Sequence, residues 1–321
     1  MRGFLRTVCT GALVMIASSA FAETAPGPVS FWGEFGGGPE QFFAPWGIAV
    51  GPGDELFITD QGNGRVSVYS TSGSLLRQWG SVGNGPGQLR SPRGIALSND
   101  GFVYVVEFEN DRVSKFSTDG TFVQHIGGPG SLPGQFTDPI AVAVDDAGDI
   151  YVTSWFSSSI QKFSSTGTFL TSWDLANAGQ FASGTGIEVI SGLVYVSDYS
   201  NNRVQYFTTT GTHLGQWGSG GNFDGQFRFL YGLTADADGD VFVCDGAHRI
   251  QKFSPTGTFL SKFGTLLTSP KSLITPRDVA IDSNGDIYVV EEEGNRIRRF
   301  SYSVPAPTVQ SSWGKVKADY R

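Results

Sequence analysis

The chain has 321 residues, 44 of them glycine, and a formal net charge of −8, with 22 Lys and Arg against 30 Asp and Glu. This acidic balance argues against a nucleic-acid partner, because polyanion binding depends mainly on Lys and Arg that displace counterions from phosphates. Only two cysteines are present, which excludes a disulfide-rich scaffold.

The first 22 residues have the pattern of an export signal. Two arginines form a basic start, a mostly apolar stretch follows, and Ala20-Phe21-Ala22 matches the small-residue pattern of a cleavage site. We therefore predict a signal peptide at residues 1–22 and export of a mature chain, residues 23–321, to the periplasm or the extracellular space. No apolar stretch is long enough to span a membrane. Cys244 would be the only cysteine of the mature chain, so we expect no disulfide.

Residues 87–127 contain the unit that the rest of the mature chain repeats. Two short apolar segments joined by Asn99-Asp100-Gly101 are followed by an alternating segment, Arg112–Phe116, and by a turn at Asp119-Gly120. Asp-Gly between alternating apolar segments is a strong hairpin signal, because few residues tolerate the positive φ of the tight turn. The unit is therefore predicted to be a four-stranded antiparallel meander, with strands a to d in chain order.

Six copies of this unit follow one another at intervals of 44–47 residues. In five of them an arginine opens strand c, and in all six an aromatic residue follows four positions later. These positions are Arg65 and Tyr69, Arg112 and Phe116, Ser159 and Phe163, Arg203 and Phe207, Arg249 and Phe253, and Arg296 and Phe300. Six four-stranded sheets in radial repetition predict an all-β fold, a six-bladed β-propeller.

The repeated motif closely resembles the NHL repeat over roughly residues 29–314. Gly-Gln-Phe or Gly-Gln-Leu precedes strand a in four copies, as in Gly134-Gln135-Phe136, and a proline such as Pro92 enters the strand. The resemblance implies the propeller fold and a bacterial exported protein of this family. It leaves the function open, because one propeller fold serves many unrelated tasks.

Two segments are candidates for the strand that closes the ring at the sixth blade. Residues 29–37 contain Val29–Gly33, which matches the d strands of the other copies, and Thr308–Gly314 matches them as well. Closure of the ring removes exposed sheet edges, and a single strand can occupy the outermost position. We expect the N-terminal strand there, and a loose tail at residues 315–321.

Strand b ends in an acid in the same five copies that carry the arginine: Asp60, Glu107, Asp198, Asp245 and Glu291. The third copy has Ser154 and Ser159 and so has lost both groups together. Joint loss predicts that the acid and the arginine pair, because removal of one partner would leave the other charge unpaired. We therefore interpret these residues as structural, and not as metal ligands or catalytic carboxylates.

The copies differ most on one face of the predicted propeller, where the d–a and b–c loops surround the mouth of the central channel. Aromatic residues occur there together with two arginines that the acid–arginine pairs do not account for. The candidate binding residues are Trp46, Arg93, Ile140, Trp155, Phe156, Tyr231 and Arg277. This mixture suits a ligand with apolar and anionic parts. The alternative is that they are scattered surface residues that pair locally.

The resemblance also raises the possibility of an enzyme. The peptidyl-hydroxyglycine amidating lyase is a zinc-dependent NHL propeller whose metal histidines follow the proline of strand a, and no histidine stands at those positions here. His125, His213 and His248 are not equivalent in the repeats, whereas zinc needs convergent ligands. We expect no catalytic residue, metal or cofactor, and a monomer that binds a protein, peptide or glycan ligand at the channel mouth. A metal-assisted lyase or a lactonase-like hydrolase with a site in the channel is the alternative.

Overall fold

The computed structural model describes residues 25–155, 157–174, 183–264 and 272–302. In these ranges the chain forms six four-stranded antiparallel sheets, the blades of a β-propeller, which confirms the predicted all-β fold. The innermost strands of neighbouring blades contact one another in a closed ring around the channel.

Each blade runs from strand a at the channel to strand d at the rim. Blade 1 comprises β2 (Pro45–Val50), β3 (Leu56–Asp60), β4 (Arg65–Tyr69) and β5 (Leu75–Trp79), and blade 2 comprises β6 (Pro92–Leu97), β7 (Phe102–Glu107), β8 (Arg112–Ser117) and β9 (Phe122–Ile126). Blade 3 comprises β10 (Pro139–Val144), β11 (Ile150–Ser154), β12 (Ser159–Phe163) and β13 (Phe169–Asp174), and blade 4 comprises β14 (Gly184–Ile190), β15 (Leu193–Asp198), β16 (Arg203–Thr208) and β17 (His213–Trp217). Blade 5 comprises β18 (Leu230–Ala235), β19 (Val241–Asp245), β20 (Arg249–Phe253) and β21 (Phe259–Phe263), and blade 6 comprises β22 (Pro276–Ile281), β23 (Ile287–Glu291), β24 (Arg296–Ser301) and β1 (Gly27–Trp32). The helical segments in the described ranges are two single 3₁₀ turns, Pro52–Asp54 and Tyr199–Asn201, and neither could cross a membrane.

The N-terminal strand β1 is the outermost strand of blade 6. It pairs with β24 in antiparallel register, with Phe31 opposite Arg298 and Trp32 opposite Ile297. The first strand of the described chain is therefore hydrogen-bonded to the last one, which closes the ring. The competing segment at residues 308–314, the tail at 315–321 and the signal peptide at 1–22 lie outside the described residues.

The core consists of six hydrophobic clusters, and these clusters join neighbouring blades. One of them packs Tyr104 and Val106 of blade 2 against Val142 and Val152 of blade 3. The aromatic residue that ends strand c is buried in every blade, with at most 1% of Tyr69, Phe116, Phe163, Phe207, Phe253 and Phe300 exposed. Both faces of each blade are thus covered, which explains why every copy keeps an aromatic residue at this position.

Glycine in the c–d hairpins lets consecutive blades approach closely. Gly120 has φ +93°, and a β-carbon there would lie 2.7 Å from the indole of Trp79 in the preceding blade. A β-carbon at Gly257 would likewise lie 2.5 Å from the indole of Trp217 in the preceding blade. The tryptophan of strand d and the glycine of the next hairpin are therefore one packing unit, because only glycine combines this φ with this contact.

The five predicted acid–arginine pairs are confirmed. Each carboxylate side chain is completely buried, and the distance from the arginine Nε is 2.9 Å for Arg65–Asp60, 2.7 Å for Arg112–Glu107, 2.8 Å for Arg203–Asp198 and 2.7 Å for Arg249–Asp245, while Arg296 pairs with Glu291. Asp60 Oδ1 also accepts the backbone N–H of Phe43 at 2.8 Å. In blades 1, 2 and 5 the arginine also donates to backbone carbonyls of the incoming d–a loop, as Arg65 does to Gln41 at 2.6 Å, so these pairs have a structural role.

Candidate binding site at the channel mouth

Trp46, the second residue of β2, is the centre of the channel mouth. Its side chain packs in one hydrophobic cluster with Ile140 of blade 3 and Ile187 of blade 4, and only 8% of the residue is exposed. The guanidinium carbon of Arg93 lies 4.4 Å from the centroid of the indole, and that of Arg277 lies 4.6 Å from it. Both distances are typical of cation–π contacts. The indole therefore holds two positive groups at the mouth.

The two arginines differ in how their charge is compensated. Arg277 forms an ion pair with Glu292 at 2.5 Å, so a neighbouring carboxylate compensates its charge. Arg93 donates from Nε to the neutral Oε1 of Gln61 at 3.2 Å and lies 3.4 Å above the ring of Phe108. Burial, with a further contribution from the positive charge of Arg277, lowers the pKa of Arg93 to about 10. A bound anion would offset both effects, because a nearby negative charge favours the charged guanidinium.

An arc of aromatic rings continues from Arg277 around the mouth. Arg277 lies 4.1 Å from the ring of Tyr231, and Tyr199 lies 5.7 Å from Tyr231. Tyr199 also stacks on Phe229 at 5.2 Å and contacts Trp155 at 5.1 Å. Arginines and aromatic rings are thus contiguous, and we call this set the mouth surface: Trp46, Arg93, Trp155, Tyr199, Phe229, Tyr231 and Arg277.

Phe229 has an unusual backbone conformation for a bulky residue. Its φ is +59°, and 51% of the residue is exposed. Four other copies have the same left-handed conformation before strand a but carry smaller side chains there: Ala44, Ser91, Asp138 and Thr275. A side chain of this size in a left-handed conformation is strained, and such strain is concentrated at functional sites. In this conformation the ring of Phe229 lies 5.2 Å from that of Tyr199.

The sequence-predicted candidates do not all offer surface to a ligand. Trp155, Tyr231, Arg93 and Arg277 contribute to the mouth surface, whereas Ile140 is completely buried and lies at the wall of the channel. Phe156 lies outside the described residues. Phe229 was not among the predicted residues, although the sequence contains a signal for it: the residue before strand a is much larger here than in the other copies.

A cavity of about 200 Å³ lies in the channel and is lined by the innermost strands of the blades. Two carboxyl groups, Glu188 and Asp278, line it. At the third position of strand a the six copies have Gly47, Gly94, Ala141, Gly186, Gly232 and Asp278, and at the fifth they have Ala49, Ala96, Ala143, Glu188, Thr234 and Ala280. Both acids therefore replace the small residues that other copies use. Sequence reasoning missed them, although the same internal comparison would have identified them.

Burial raises the pKa of both channel carboxyls. The pKa of Asp278 is raised to about 7, although its oxygens accept the backbone N–H groups of Ile48 and Val279, each at 3.0 Å. The pKa of Glu188 is raised to about 8, by burial first and then by the negative charge of Asp278. A β-carbon at Gly232 would lie 1.9 Å from Oδ1 of Asp278, so glycine in the neighbouring strand makes room for this acid. Carboxyls that titrate near neutral pH can give or accept a proton during a reaction.

Potential metal ligands are dispersed. In the ranges that the structure describes, no three His, Cys, Asp or Glu side chains are grouped closely enough to hold a metal ion.

Comparison with known proteins supports the repeat assignment. The family model of the NHL repeat matches residues 44–69, 89–116 and 273–300, whereas comparison with curated protein sequences gives no significant match. Among solved structures, a streptogramin B lyase has a TM-score of 0.57 at 17% identity, with 80% of this chain and 93% of that chain covered. A catalytically inactive virginiamycin B lyase from Staphylococcus aureus, determined with quinupristin, gives 0.60 at 15% identity, with 82% and 81% covered. A protein of unknown function from Bacteroides thetaiotaomicron gives 0.64 at 20% identity, with 86% and 72% covered. At these identities the similarity shows a shared fold.

Proposed function

The chain is an NHL-repeat β-propeller, and we propose that it acts as a non-catalytic binding protein whose ligand contacts the mouth surface. The observation that carries this proposal is the stacking of Arg93 and Arg277 on Trp46, at 4.4 and 4.6 Å. These two arginines are additional to the ladder arginines, which are the five arginines that pair with the buried strand-b acids. Three of the ladder arginines, Arg65, Arg112 and Arg249, also bond the backbone of their d–a loops. The ligand is a protein, peptide or glycan that presents an anionic group beside an apolar one.

Charge and shape favour this class of ligand. Arg93 is largely buried without a directly paired carboxylate among the described residues, and a planar guanidinium can bind a carboxylate through two parallel hydrogen bonds. The adjacent rings of Tyr199, Phe229 and Trp155 provide apolar area within reach of the same ligand. Such aromatic and arginine residues contribute most of the binding free energy in many interfaces.

A carboxylate probe with an aromatic side chain tests the proposal. We expect the peptide Ala-Ala-Phe with a free C-terminal carboxylate to bind more tightly than the same peptide with a C-terminal amide, by titration calorimetry. Arg93→Gln should remove this preference for the free carboxylate, and Trp155→Ala should weaken the binding of both peptides. Thr210→Ala, in an exposed hairpin of the opposite face, is the matched control and should change nothing. Equal affinity for acid and amide in the parent protein would contradict the proposed role of Arg93.

The channel carboxyls favour a second candidate function, a lyase or hydrolase with its site in the channel. The supporting observation is that Glu188 and Asp278 line the cavity and have pKa values raised to about 8 and about 7. Two solved structures with a similar fold are lyases. Metal analysis of the purified protein, together with a panel of lactone and ester substrates, tests this candidate. Stoichiometric zinc or calcium and a turnover that Asp278→Asn abolishes would favour the enzyme over the binding protein.

Export is part of the same proposal, and the pattern of residues 1–22 supports it. We expect the protein from a cell fractionation to be found outside the cytoplasm, to be monomeric, and to begin at Glu23. Intact mass measurement of that protein tests the cleavage site. A full-length chain in the cytoplasmic fraction would overturn the assignment.

A further inference from the structure

Blade 3 differs from the other blades where strands b and c meet. Ser154 and Ser159 stand there in place of the buried acid and the ladder arginine. A groove with a volume of about 410 Å³ lies at this point. Its lining combines the apolar residues Leu132 and Pro133 with hydroxyl, amide and backbone groups, among them those of Ser131, Gln135, Ser154, Ser159 and Gln161. The groove shares no lining residue with the mouth surface defined above, although Trp155 of that surface directly follows Ser154.

Blade 5 shows what the corresponding space holds when the arginine is present. Arg249 donates from Nε to Oδ2 of Asp245 at 2.7 Å. Its terminal nitrogens donate to three backbone carbonyls of the d–a loop, those of Asn222 at 2.9 Å, Phe223 at 3.0 Å and Gln226 at 2.7 Å. A guanidinium group is therefore enclosed by one carboxylate and three carbonyl oxygens.

The d–a loop of blade 3 has the same backbone conformation as that of blade 5. Gly130 and Gly221 have φ +145° and +155°, and their N–H groups bond the carbonyls of Phe136 and Phe227 at 2.9 and 3.0 Å. By this correspondence, the carbonyls that hold Arg249 in blade 5 belong in blade 3 to three residues of the groove: Ser131, Leu132 and Gln135.

The glutamine beside the site is also the same in the two blades. Gln161 donates to the carbonyl of Gln135 at 2.7 Å, just as Gln251 donates to that of Gln226 at 2.7 Å. Gln161 Oε1 also accepts the N–H of Gly134 at 2.8 Å. The carbonyl framework of the arginine site is therefore kept in blade 3, although the arginine itself is replaced by serine.

The overall charge of the chain also favours a cation, because its formal net charge is −8.

We propose that the groove of blade 3 is a binding site for a guanidinium group, supplied by an arginine side chain of a peptide or protein partner. The guanidinium occupies the place that Arg249 occupies in blade 5 and donates to the carbonyls of Ser131, Leu132 and Gln135. A planar group with five N–H donors matches several fixed acceptors, whereas a lysine ammonium has three donors around a point charge. This inference is independent of the ligand proposed for the mouth surface.

The test uses a small arginine probe, N-acetyl-Gly-Arg-Gly-amide, and its neutral citrulline counterpart. We expect the parent protein to bind the arginine peptide at least about tenfold more tightly, which corresponds to about 1.4 kcal/mol. The double variant Ser154→Asp with Ser159→Arg rebuilds the ladder pair of the other blades. Its own arginine should fill the groove and weaken binding of the probe at least about tenfold.

Hydrogen exchange on the parent protein gives a second measurement that needs no variant. The arginine peptide should slow exchange in the loop at residues 130–137 and leave the equivalent loop of blade 5, at residues 221–228, unchanged. The proposal is overturned if the parent protein does not distinguish arginine from citrulline. It is also overturned if the folded double variant binds the probe as well as the parent does, or if the protected segment lies away from blade 3.

Discussion

Replacement of Arg112 by alanine should destabilise the propeller, because it removes the partner of a carboxylate that has no access to water. The side chain of Glu107 is completely buried, and Arg112 donates to its two oxygens from Nε at 2.7 Å and from Nη2 at 3.2 Å. Removing one partner of a buried ion pair costs about 3–5 kcal/mol. Glu107 keeps the hydroxyl of Ser114, the amide of Asn110 and the N–H of Arg90 as donors. We therefore expect a smaller loss, about 1–3 kcal/mol.

The double variant Glu107→Ser with Arg112→Ser copies the pair of serines that blade 3 has naturally. Because neither charge is left unpaired, its loss of stability should be smaller than the sum of the two single losses, with a coupling of about 1–2 kcal/mol. Urea denaturation followed by both fluorescence and circular dichroism gives the free energies of unfolding.

The exposed pair Arg90–Glu109 is the matched control. Its atoms are 2.8 Å apart, but the two side chains are 55% and 50% exposed. Arg90→Ala should cost only about 0–1 kcal/mol, as exposed ion pairs do. If Arg112→Ala costs no more than Arg90→Ala, or if the two single losses simply add in the double variant, burial of the carboxylate is not what makes the ladder pair important.

Three further predictions concern the channel, the hairpins and the requirement for metal. In the folded protein the pKa of Asp278 is raised from 3.8 to about 7 and that of Glu188 from 4.5 to about 8. The stability that these two carboxyls contribute is therefore fully present below about pH 4 and is lost as the pH rises to about 8. Between pH 4 and pH 8, the free energy of unfolding of Asp278→Asn should therefore rise relative to that of the parent by up to about 4 kcal/mol, at about 1.4 kcal/mol per pKa unit. If urea denaturation shows the same difference in free energy between variant and parent at every pH, the pKa of Asp278 is not raised. Gly120→Val should lower the melting temperature, because the new side chain would need φ +93° and would collide with Trp79. The control Gly101→Val, with φ +85° but no atom within 4 Å of the new β-carbon, should lower it less. Equal decreases in melting temperature would show that the contact with Trp79 does not matter. Addition of a chelator should leave the melting temperature unchanged, since the blades are held by apolar packing and by acid–arginine pairs, and a large drop would show that a metal stabilises the fold.

The propeller could be predicted from sequence because its signals repeat. Each copy carries the same hairpin glycines and the same aromatic residue at the end of strand c, so the six copies reinforce one another. The pairing of Asp60 with Arg65 and its equivalents followed from the joint loss of both groups at Ser154 and Ser159. The two residues are only five positions apart, and without this joint loss a single sequence would not distinguish the pair from metal ligands or catalytic carboxylates.

The site was less predictable, because the direction of a side chain at the mouth is set by packing between blades. The sequence predicts that Trp46 offers apolar surface to a ligand. In the structure it packs with Ile187 of blade 4 and contacts the guanidinium groups of two arginines. Ile140 is equivalent in position and is buried. Glu188 and Asp278 were not predicted, although the sequence contains a signal for them, because the other copies have Gly, Ala or Thr at these two positions of strand a.

The central claim, that this propeller binds its ligand on the mouth surface, is tested most directly by hydrogen exchange of the protein with and without saturating Ala-Ala-Phe. We predict slower exchange at the starts of strands a and in the b–c loops around Arg93, Tyr199, Phe229 and Arg277, and unchanged exchange in the hairpins of the opposite face, such as residues 208–212. Protection confined to those hairpins, or protection that Arg93→Gln leaves intact, would contradict the account.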